Sequence, residues 1–179
     1  MNVVSKLTKI LQYTPTSKKI VELIKLAESE SSVDIINQID LLTGVWELKW
    51  STSNSPFLNY SPLLDNLQIL EPKRNRGLNL LRTKGFKGRF FSTNILARLE
   101  IIDKKRIDVS FEKAGIIGPQ LLGKKITFLS EIKKTQKGWL DTTVLTPTLR
   151  VCKGYKGTTF ALLKRKDLSP TEFFKPYNF

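Results

Sequence analysis

The sequence contains no histidine and only one cysteine, Cys152. Without histidine there is no imidazole base, no His-ligated metal site, and no Ser-His-Asp or Cys-His nucleophile system. One cysteine cannot form an internal disulfide or a thiolate cluster, so nothing indicates an oxidising compartment. We expect Cys152 to be a buried, unreactive strand residue. These absences exclude most familiar hydrolase chemistry, and the sequence predicts neither a cofactor nor a metal site.

Long apolar runs are also missing, because charges interrupt every apolar stretch before it reaches the ~20 residues of a membrane-spanning helix. We therefore predict no transmembrane segment. Residues 1–10 have too short an apolar run for a signal peptide, and they lack the Arg- and Ser-rich composition of a transit peptide. This start predicts a bacterial protein in a reducing, cytosol-like space, or else a mature form.

No pair of residues has the pattern of a catalytic site. Without histidine, acid–base work would need Asp, Glu, Lys or Tyr in a pocket that shifts their pKa values. Asp103 and Asp108 flank three consecutive basic residues, a pattern typical of a charged hairpin. No glycine-rich phosphate loop is present either. We predict that the protein is not an enzyme.

Acidic residues are scarce relative to basic ones. The 179 residues include 30 Lys and Arg against 16 Asp and Glu, which gives a net charge of +14. Residues 1–45 carry five residues of each sign, so the whole excess lies in residues 46–179. Such a charge makes anionic lipid headgroups or nucleic acid possible partners. The length and the 40% apolar content fit a single domain over residues 1–179.

The N-terminal segment, residues 1–43, has the apolar spacing of helices. Apolar residues recur at helical spacing from Ile20 to Ala27, behind Thr16 or Ser17 as a possible cap. We predict a shorter helix before Pro15 and another over Ile35–Leu42.

From Gly44 onward the period of the apolar pattern changes to two, which predicts strands. About eight to ten short strands follow one another over residues 44–164, before a tail at residues 165–179. Strands in a row without intervening helices favour an antiparallel barrel or a sandwich. The predicted fold is mainly β with an N-terminal helical segment.

A dense basic run lies in residues 73–89, interleaved with Phe86, Phe90 and Phe91. Basic and aromatic residues together suit stacking on nucleic-acid bases. The same cations suit anionic lipid, and they also suit a solubilising barrel exterior, which we favour. The run consists of Lys73, Arg74, Arg76, Arg82, Lys84, Lys87 and Arg89.

Two apolar stretches look less like core. The glycine- and proline-containing stretch Ala114–Gly123 predicts an exposed loop that acts as a lid, touches lipid or packs inward. Its candidate contact residues are Ile116, Ile117, Leu121 and Leu122. The aromatic C-terminal tail, with Phe173, Phe174, Tyr177 and Phe179, is expected to tie the terminus to the body rather than to anchor in a membrane.

Motifs at both ends of the strand region carry a family resemblance. The first is Leu42-Thr43-Gly44-x-Trp46-x-Leu48, followed by Ser51-Thr52-Ser53. The closing motifs are Trp139-Leu140-Asp141-Thr142-Thr143, Leu149-Arg150-Val151, Gly154, Lys156-Gly157 and Phe160-Ala161-Leu162. In this order and spacing, residues 5–164 resemble the plastid lipid-associated protein, or fibrillin, family.

The resemblance implies a lipocalin-like barrel, lipid association, and residence at thylakoids or plastoglobules. The absence of a transit peptide then predicts a cyanobacterial member, associated with thylakoids or cytoplasmic, or a plastid protein if the chain is a mature eukaryotic form. Trp46 and Arg150 match the pair that closes the bottom of such barrels, a structural role.

An eight-stranded barrel has an interior just large enough for side chains or one small ligand. Four aromatic residues are candidates for its lining, and they either contact a ligand or fill the core: Trp50, Phe111, Phe128 and Phe160. We expect a passive protein that binds a quinone, carotenoid or fatty acyl ligand and contacts anionic thylakoid lipid. The alternatives are a nucleic-acid-binding β-domain and a scaffold for a prenyl-lipid enzyme.

Overall fold

Eight antiparallel strands close into a barrel in which each strand pairs with the next in sequence and the last pairs with the first. The computed structural model describes residues 2–55, 58–85, 91–121 and 124–177. The prediction of a mainly β barrel preceded by helices is confirmed. The strands are β1 (Gly44–Ser51), β2 (Leu64–Glu71), β3 (Arg76–Thr83), β4 (Ser92–Ile101), β5 (Arg106–Leu121), β6 (Lys124–Leu145), β7 (Leu149–Gly154) and β8 (Thr159–Lys164).

The first strand begins at a glycine for two reasons. Gly44 has a positive φ of 150°, and a Cβ there would lie 2.4 Å from Cε of Lys164. The alternation that follows places Trp46 and Leu48 in the interior cluster and Val45 on the outer face. The Gly-x-Trp motif therefore starts the barrel and directs an indole into its interior.

The first two helices, α1 (Val3–Tyr13) and α2 (Ile20–Glu30), pack on the outside of the barrel. Asn2 caps α1 by accepting a hydrogen bond from the Ser5 backbone N–H at 2.8 Å. The buried faces of both helices meet outward-facing apolar residues of β6, β7 and β8. The third helix, α3 (Ile39–Leu42), is shorter than predicted, because residues 35–38 form turns instead.

Strands β5 and β6 form a long hairpin where the sequence predicted separate pieces. The predicted loop at Ala114–Gly123 belongs to β5 as far as Leu121, and β6 is one strand of 22 residues, much longer than the short strands predicted. The glycine and proline residues that led to the prediction of a loop have other structural roles within the strand. A Cβ at Gly115 would lie 1.9 Å from the Phe128 carbonyl oxygen, and Pro119 lies at a β-bulge.

The C-terminal tail packs on the outer face of the barrel opposite α1 and α2. A 3₁₀ turn (Pro72–Arg74) connects β2 and β3, and α4 (Pro170–Phe174) follows β8. Phe174 and Tyr177 are buried against outward-facing residues of β1 to β5, so the predicted tethering is confirmed for these two. Phe179 lies outside the described residues.

No helix in the described part of the chain is long and apolar enough to span a bilayer.

Candidate functional site

The barrel interior contains a cavity of about 150 Å³. Its lining is mainly apolar and includes Leu70, Ala97, Leu99 and Val109. Typical ligand pockets measure roughly 300–1,000 Å³. The cavity can therefore accept a small group or one end of a longer apolar molecule. Three lining residues, Leu58, Tyr155 and Lys156, are also exposed, so the cavity reaches solvent on their side.

Two of the four predicted lining residues face this cavity. Phe111 on β5 lies opposite Ala97 on β4, and Phe160 on β8 lies opposite Cys152 on β7. Both rings are among the cavity residues and belong to or pack against the interior cluster. Their contact with a ligand remains a prediction.

Trp50 does not face the lumen, so its predicted position is wrong. The register of β1 against β8 shifts between Leu48 and Trp50. After this β-bulge Trp50 lies opposite Ala161, an outward-facing residue. The Trp50 ring packs against the cluster formed under α1 and α2.

Phe128 lies outside the lumen as well, with 73% of its surface exposed. It pairs with Ile116 on the far part of the hairpin, whereas β7 pairs only with residues 140–145 of β6. The prediction of a lumen position is therefore wrong, because this part of β6 extends past its neighbour. A Cβ at Gly118 would lie 3.5 Å from Ile126 and 3.7 Å from the Phe91 ring. We call the exposed residues Phe91, Ile116, Ile126 and Phe128 the hairpin patch.

The other predicted contact residues of this stretch are Ile117, Leu121 and Leu122. Ile117 is buried on the opposite face of β5, in the cluster covered by the C-terminal tail. Leu121 ends β5, but its side chain is not among those described, and Leu122 lies outside the described residues. Of the two whose side chains the structure describes, Ile116 is exposed and could meet a membrane, whereas Ile117 could not.

The closed end of the barrel is built around Trp46, which is fully buried. Its indole Nε1 donates a hydrogen bond to the Leu42 carbonyl at 2.8 Å. The Arg150 guanidinium carbon lies 5.4 Å from the ring centroid, and Lys164 Nζ lies 5.0 Å from it. Lys164 Nζ also donates to the Leu41 carbonyl at 2.8 Å. The structure thus brings together Trp46 and Arg150, as the family resemblance implies.

Arg150 is buried inside the barrel with 1% of its surface exposed. One of its Nη atoms donates a hydrogen bond to Gln68 Oε1. Burial lowers the pKa of Arg150, while the neighbouring Cys152 partly offsets this effect. Burial also raises the pKa of the Cys152 thiol, despite the nearby guanidinium, which fits the prediction of an unreactive cysteine.

The sequence did not reveal two polar residues that line the cavity, Gln68 and Asn79. They pair with each other across β2 and β3. Each stands between apolar neighbours, as in Leu67-Gln68-Ile69, a pattern that normally directs the polar residue to solvent. Here the apolar neighbours face outward because the C-terminal tail covers them. The inward orientation of Gln68 and Asn79 could have been predicted only from the position of the tail.

The basic run is largely ion-paired. Lys87 and Arg89 lie outside the described residues, and each of the other five has an acidic partner within 4 Å. Lys73 pairs with Asp40, Arg74 and Arg76 with Glu71, Arg82 with Asp65, and Lys84 with Glu47. Arg76 also stacks 4.3 Å from the Phe174 ring. These contacts fit the barrel-exterior interpretation better than a nucleic-acid surface.

Asp103 belongs to a hairpin turn. Its carboxylate accepts hydrogen bonds from the backbone N–H groups of Lys105 and Arg106 at 2.7 and 2.8 Å. These bonds lower the pKa of Asp103, whereas a general base would need a raised one. The described residues contain no cluster of His, Cys, Asp and Glu that could hold a metal ion.

Comparisons of the sequence with a family model and with known proteins agree with one another. The PAP_fibrillin family model matches residues 9–163. "Probable plastid-lipid-associated protein 12, chloroplastic" of Arabidopsis thaliana is 27% identical over 79% of this chain and 37% of its own length. "Chromoplast-specific carotenoid-associated protein, chromoplastic" of Cucumis sativus is 29% identical over 83% of this chain and 61% of its own length. The chain therefore spans less than two thirds of either relative.

A solved structure is also similar. A streptavidin-like protein from Bacteroides eggerthii matches with a TM-score of 0.42 and 14% identity, over 62% of this chain and 70% of that chain. Both sequence relatives are plant proteins named for plastids, and the cyanobacterial origin expected from the sequence remains a prediction.

Proposed function

Since the chain belongs to the PAP/fibrillin family, we propose that it is a non-enzymatic lipid-associated protein whose barrel lumen holds one end of a hydrophobic ligand. The observation that carries the proposal is the apolar cavity in the barrel interior, whose lining includes Phe111 and Phe160. The names of the two relatives, which refer to plastid lipid and to carotenoid, support it.

The driving force would be removal of apolar ligand surface from water, roughly 25 cal/mol per Å². A fatty acyl chain, a quinone tail or the end of a carotenoid all offer such surface. With about 150 Å³ available, only part of a long ligand enters. The remainder would lie at the opening near Leu58 and Tyr155, both exposed beside the cavity.

Native mass spectrometry and lipid extraction of protein purified from its own cells test this proposal first. We expect a stoichiometric apolar ligand. Ala97→Leu fills the cavity and should reduce ligand occupancy, while Phe111→Ala should change which chain lengths bind. Phe128→Ala is the matched control, because it removes the same ring outside the lumen. Equal occupancy in all three variants would contradict binding in the lumen.

We also propose that the hairpin patch contacts membrane lipid, which would hold the protein at thylakoids or plastoglobule-like bodies. Ile116 and Phe128 lie opposite each other and are exposed, while Lys133 and Lys137 are exposed on the same strand as Phe128. Apolar side chains that enter the interface, together with cations near anionic headgroups at about 1 kcal/mol each, provide peripheral binding.

Flotation with vesicles tests this contact. Ile116→Ser should reduce binding to anionic vesicles by about tenfold, because one buried aliphatic side chain is lost. Ile36→Ser is the control, since Ile36 is 54% exposed and Ile116 is 51% exposed, but Ile36 lies in the turn before α3. Equal binding of the wild type to neutral and anionic vesicles would refute the electrostatic part.

A further inference from the structure

Arg150 is a cation buried in the barrel interior. No described aspartate or glutamate forms an ion pair with it, and its Nε has no hydrogen-bond partner within the part of the chain that the structure describes. A fully buried charge is costly unless it is paired and hydrogen-bonded. Gln68, the contact with Trp46 and the Cys152 thiol provide only neutral partners.

A second cation lies close by. Lys164 Nζ lies 5.0 Å from the centroid of the Trp46 ring. Burial lowers the pKa of Lys164, and the charge of Arg150 lowers it further. Among the described residues, no carboxylate forms an ion pair with Lys164 either. The closed end therefore carries two like charges around one indole, where a negative group would be stabilised.

Gln68 connects these charges to the cavity. Its side-chain oxygen accepts the hydrogen bond from Arg150, and the residue itself lines the cavity. The oxygen thus accepts the bond from Arg150, and within the described part of the chain the amide N–H groups of Gln68 donate to no protein group. A hydrogen-bond acceptor at the inner end of a ligand could take these donors and bring negative charge toward Arg150.

From this geometry we propose that the lumen selects an aliphatic monocarboxylate, bound with its carboxylate at Gln68 and Arg150 and its chain along the apolar lining toward Tyr155. This inference rests on the proposed function, because it requires a ligand in the lumen. It narrows the ligand class from apolar molecules in general to free fatty acids. A neutral ligand would satisfy the donors of Gln68 but would leave the buried charge uncompensated.

Calorimetric titration of the full chain with octanoate and with methyl octanoate at pH 8 tests the proposal. We expect octanoate to bind about ten- to hundredfold more tightly, as for hydrogen bonds to a charged group. Arg150→Met should abolish this preference, so that octanoate and methyl octanoate bind the variant with equal affinity. Arg150→Lys should restore part of the preference, which a purely structural role would not predict.

Gln68→Met keeps the buried guanidinium and gives a second measurement should the Arg150 variants fail to fold. It should lower octanoate affinity more than ester affinity. If both probes bind the wild type equally and Ala97→Leu blocks both, the lumen binds ligand but the carboxylate preference is refuted. If neither probe binds, the proposed lumen function fails together with the inference.

Discussion

The two ends of the barrel differ in how they treat their large apolar side chains. At the closed end, Trp46 is completely buried, its N–H is bonded to Leu42, and two cations lie over its ring. At the hairpin end, Ile116 and Phe128 pair across two strands and remain exposed. At the closed end the large apolar side chain is buried and stabilises the fold. At the hairpin end the large apolar side chains are exposed and available for contact with another molecule.

Strand length explains the difference. Strand β6 has 22 residues, whereas β7 has six and pairs only with residues 140–145 of β6. The remaining part of β6 has no strand on its second edge within the described chain. At the closed end, by contrast, β1 is paired with a strand on both sides, and α3 immediately precedes it in the chain. Burial follows from this pairing rather than from residue type.

The largest expected effect is at the closed end. Trp46→Ala should reduce the free energy of unfolding by about 3–5 kcal/mol, the usual cost of removing a fully buried large aromatic side chain. Urea denaturation monitored by circular dichroism measures this change. Trp50→Ala is the control and should cost less, because Trp50 is only partly buried under the helices. Equal losses in the two variants would contradict the special role of the closed end.

An intermediate loss of stability is expected at Gly115, where the backbones of β5 and β6 lie close together. Gly115→Ala places a Cβ 1.9 Å from the Phe128 carbonyl oxygen, so the two strands must separate locally. We expect a loss of about 1–3 kcal/mol, as for overpacking. Gly118→Ala, on the same strand, meets its nearest neighbour at an ordinary 3.5 Å and should be nearly neutral. Hydrogen exchange should locate the change in β5 and β6 and leave the closed end unaffected.

The sequence predicted the barrel and the closed end well for physical reasons. Period-two alternation and the Gly44-x-Trp46 motif depend on local geometry, which each strand carries in its own residues. Trp50 and Phe128 were misplaced because a β-bulge and the unequal lengths of β6 and β7 are properties of strand pairing. Gln68 was missed because its orientation depends on the tail, about 100 residues further along the chain.

Glu47 lies beside Trp46 in β1 but points to the outer face. Burial raises the pKa of Glu47, but the hydrogen bond from Lys49 and the charges of Lys49 and Lys84 outweigh it, so the net pKa is lowered. Its stabilisation is therefore fully present above the unfolded pKa of about 4.3 and is lost as the pH falls through the folded value.

Urea denaturation at pH 7 and at pH 3 measures this contribution. The wild type should lose more stability than Glu47→Gln between the two pH values, because only the wild type loses a carboxylate whose pKa is lowered in the folded state. Glu112→Gln is the control, because Glu112 pairs with an exposed arginine, Arg98, on the barrel surface. An identical pH dependence in the wild type and Glu47→Gln would show that these cations do not stabilise the region around Trp46.

The smallest expected effect on stability is in the hairpin patch. Phe128→Ala removes a ring as large as that of Phe160, but the Phe128 ring is 73% exposed, so unfolding in urea should change by less than about 0.5 kcal/mol. Phe160→Ala, the same substitution in the lumen, should cost about 3 kcal/mol or more. A large loss for Phe128→Ala would mean that the hairpin patch is covered in solution, as by a second copy of the chain. Sedimentation of the wild type would then distinguish a covered patch from a free one, because only a free patch is available to lipid.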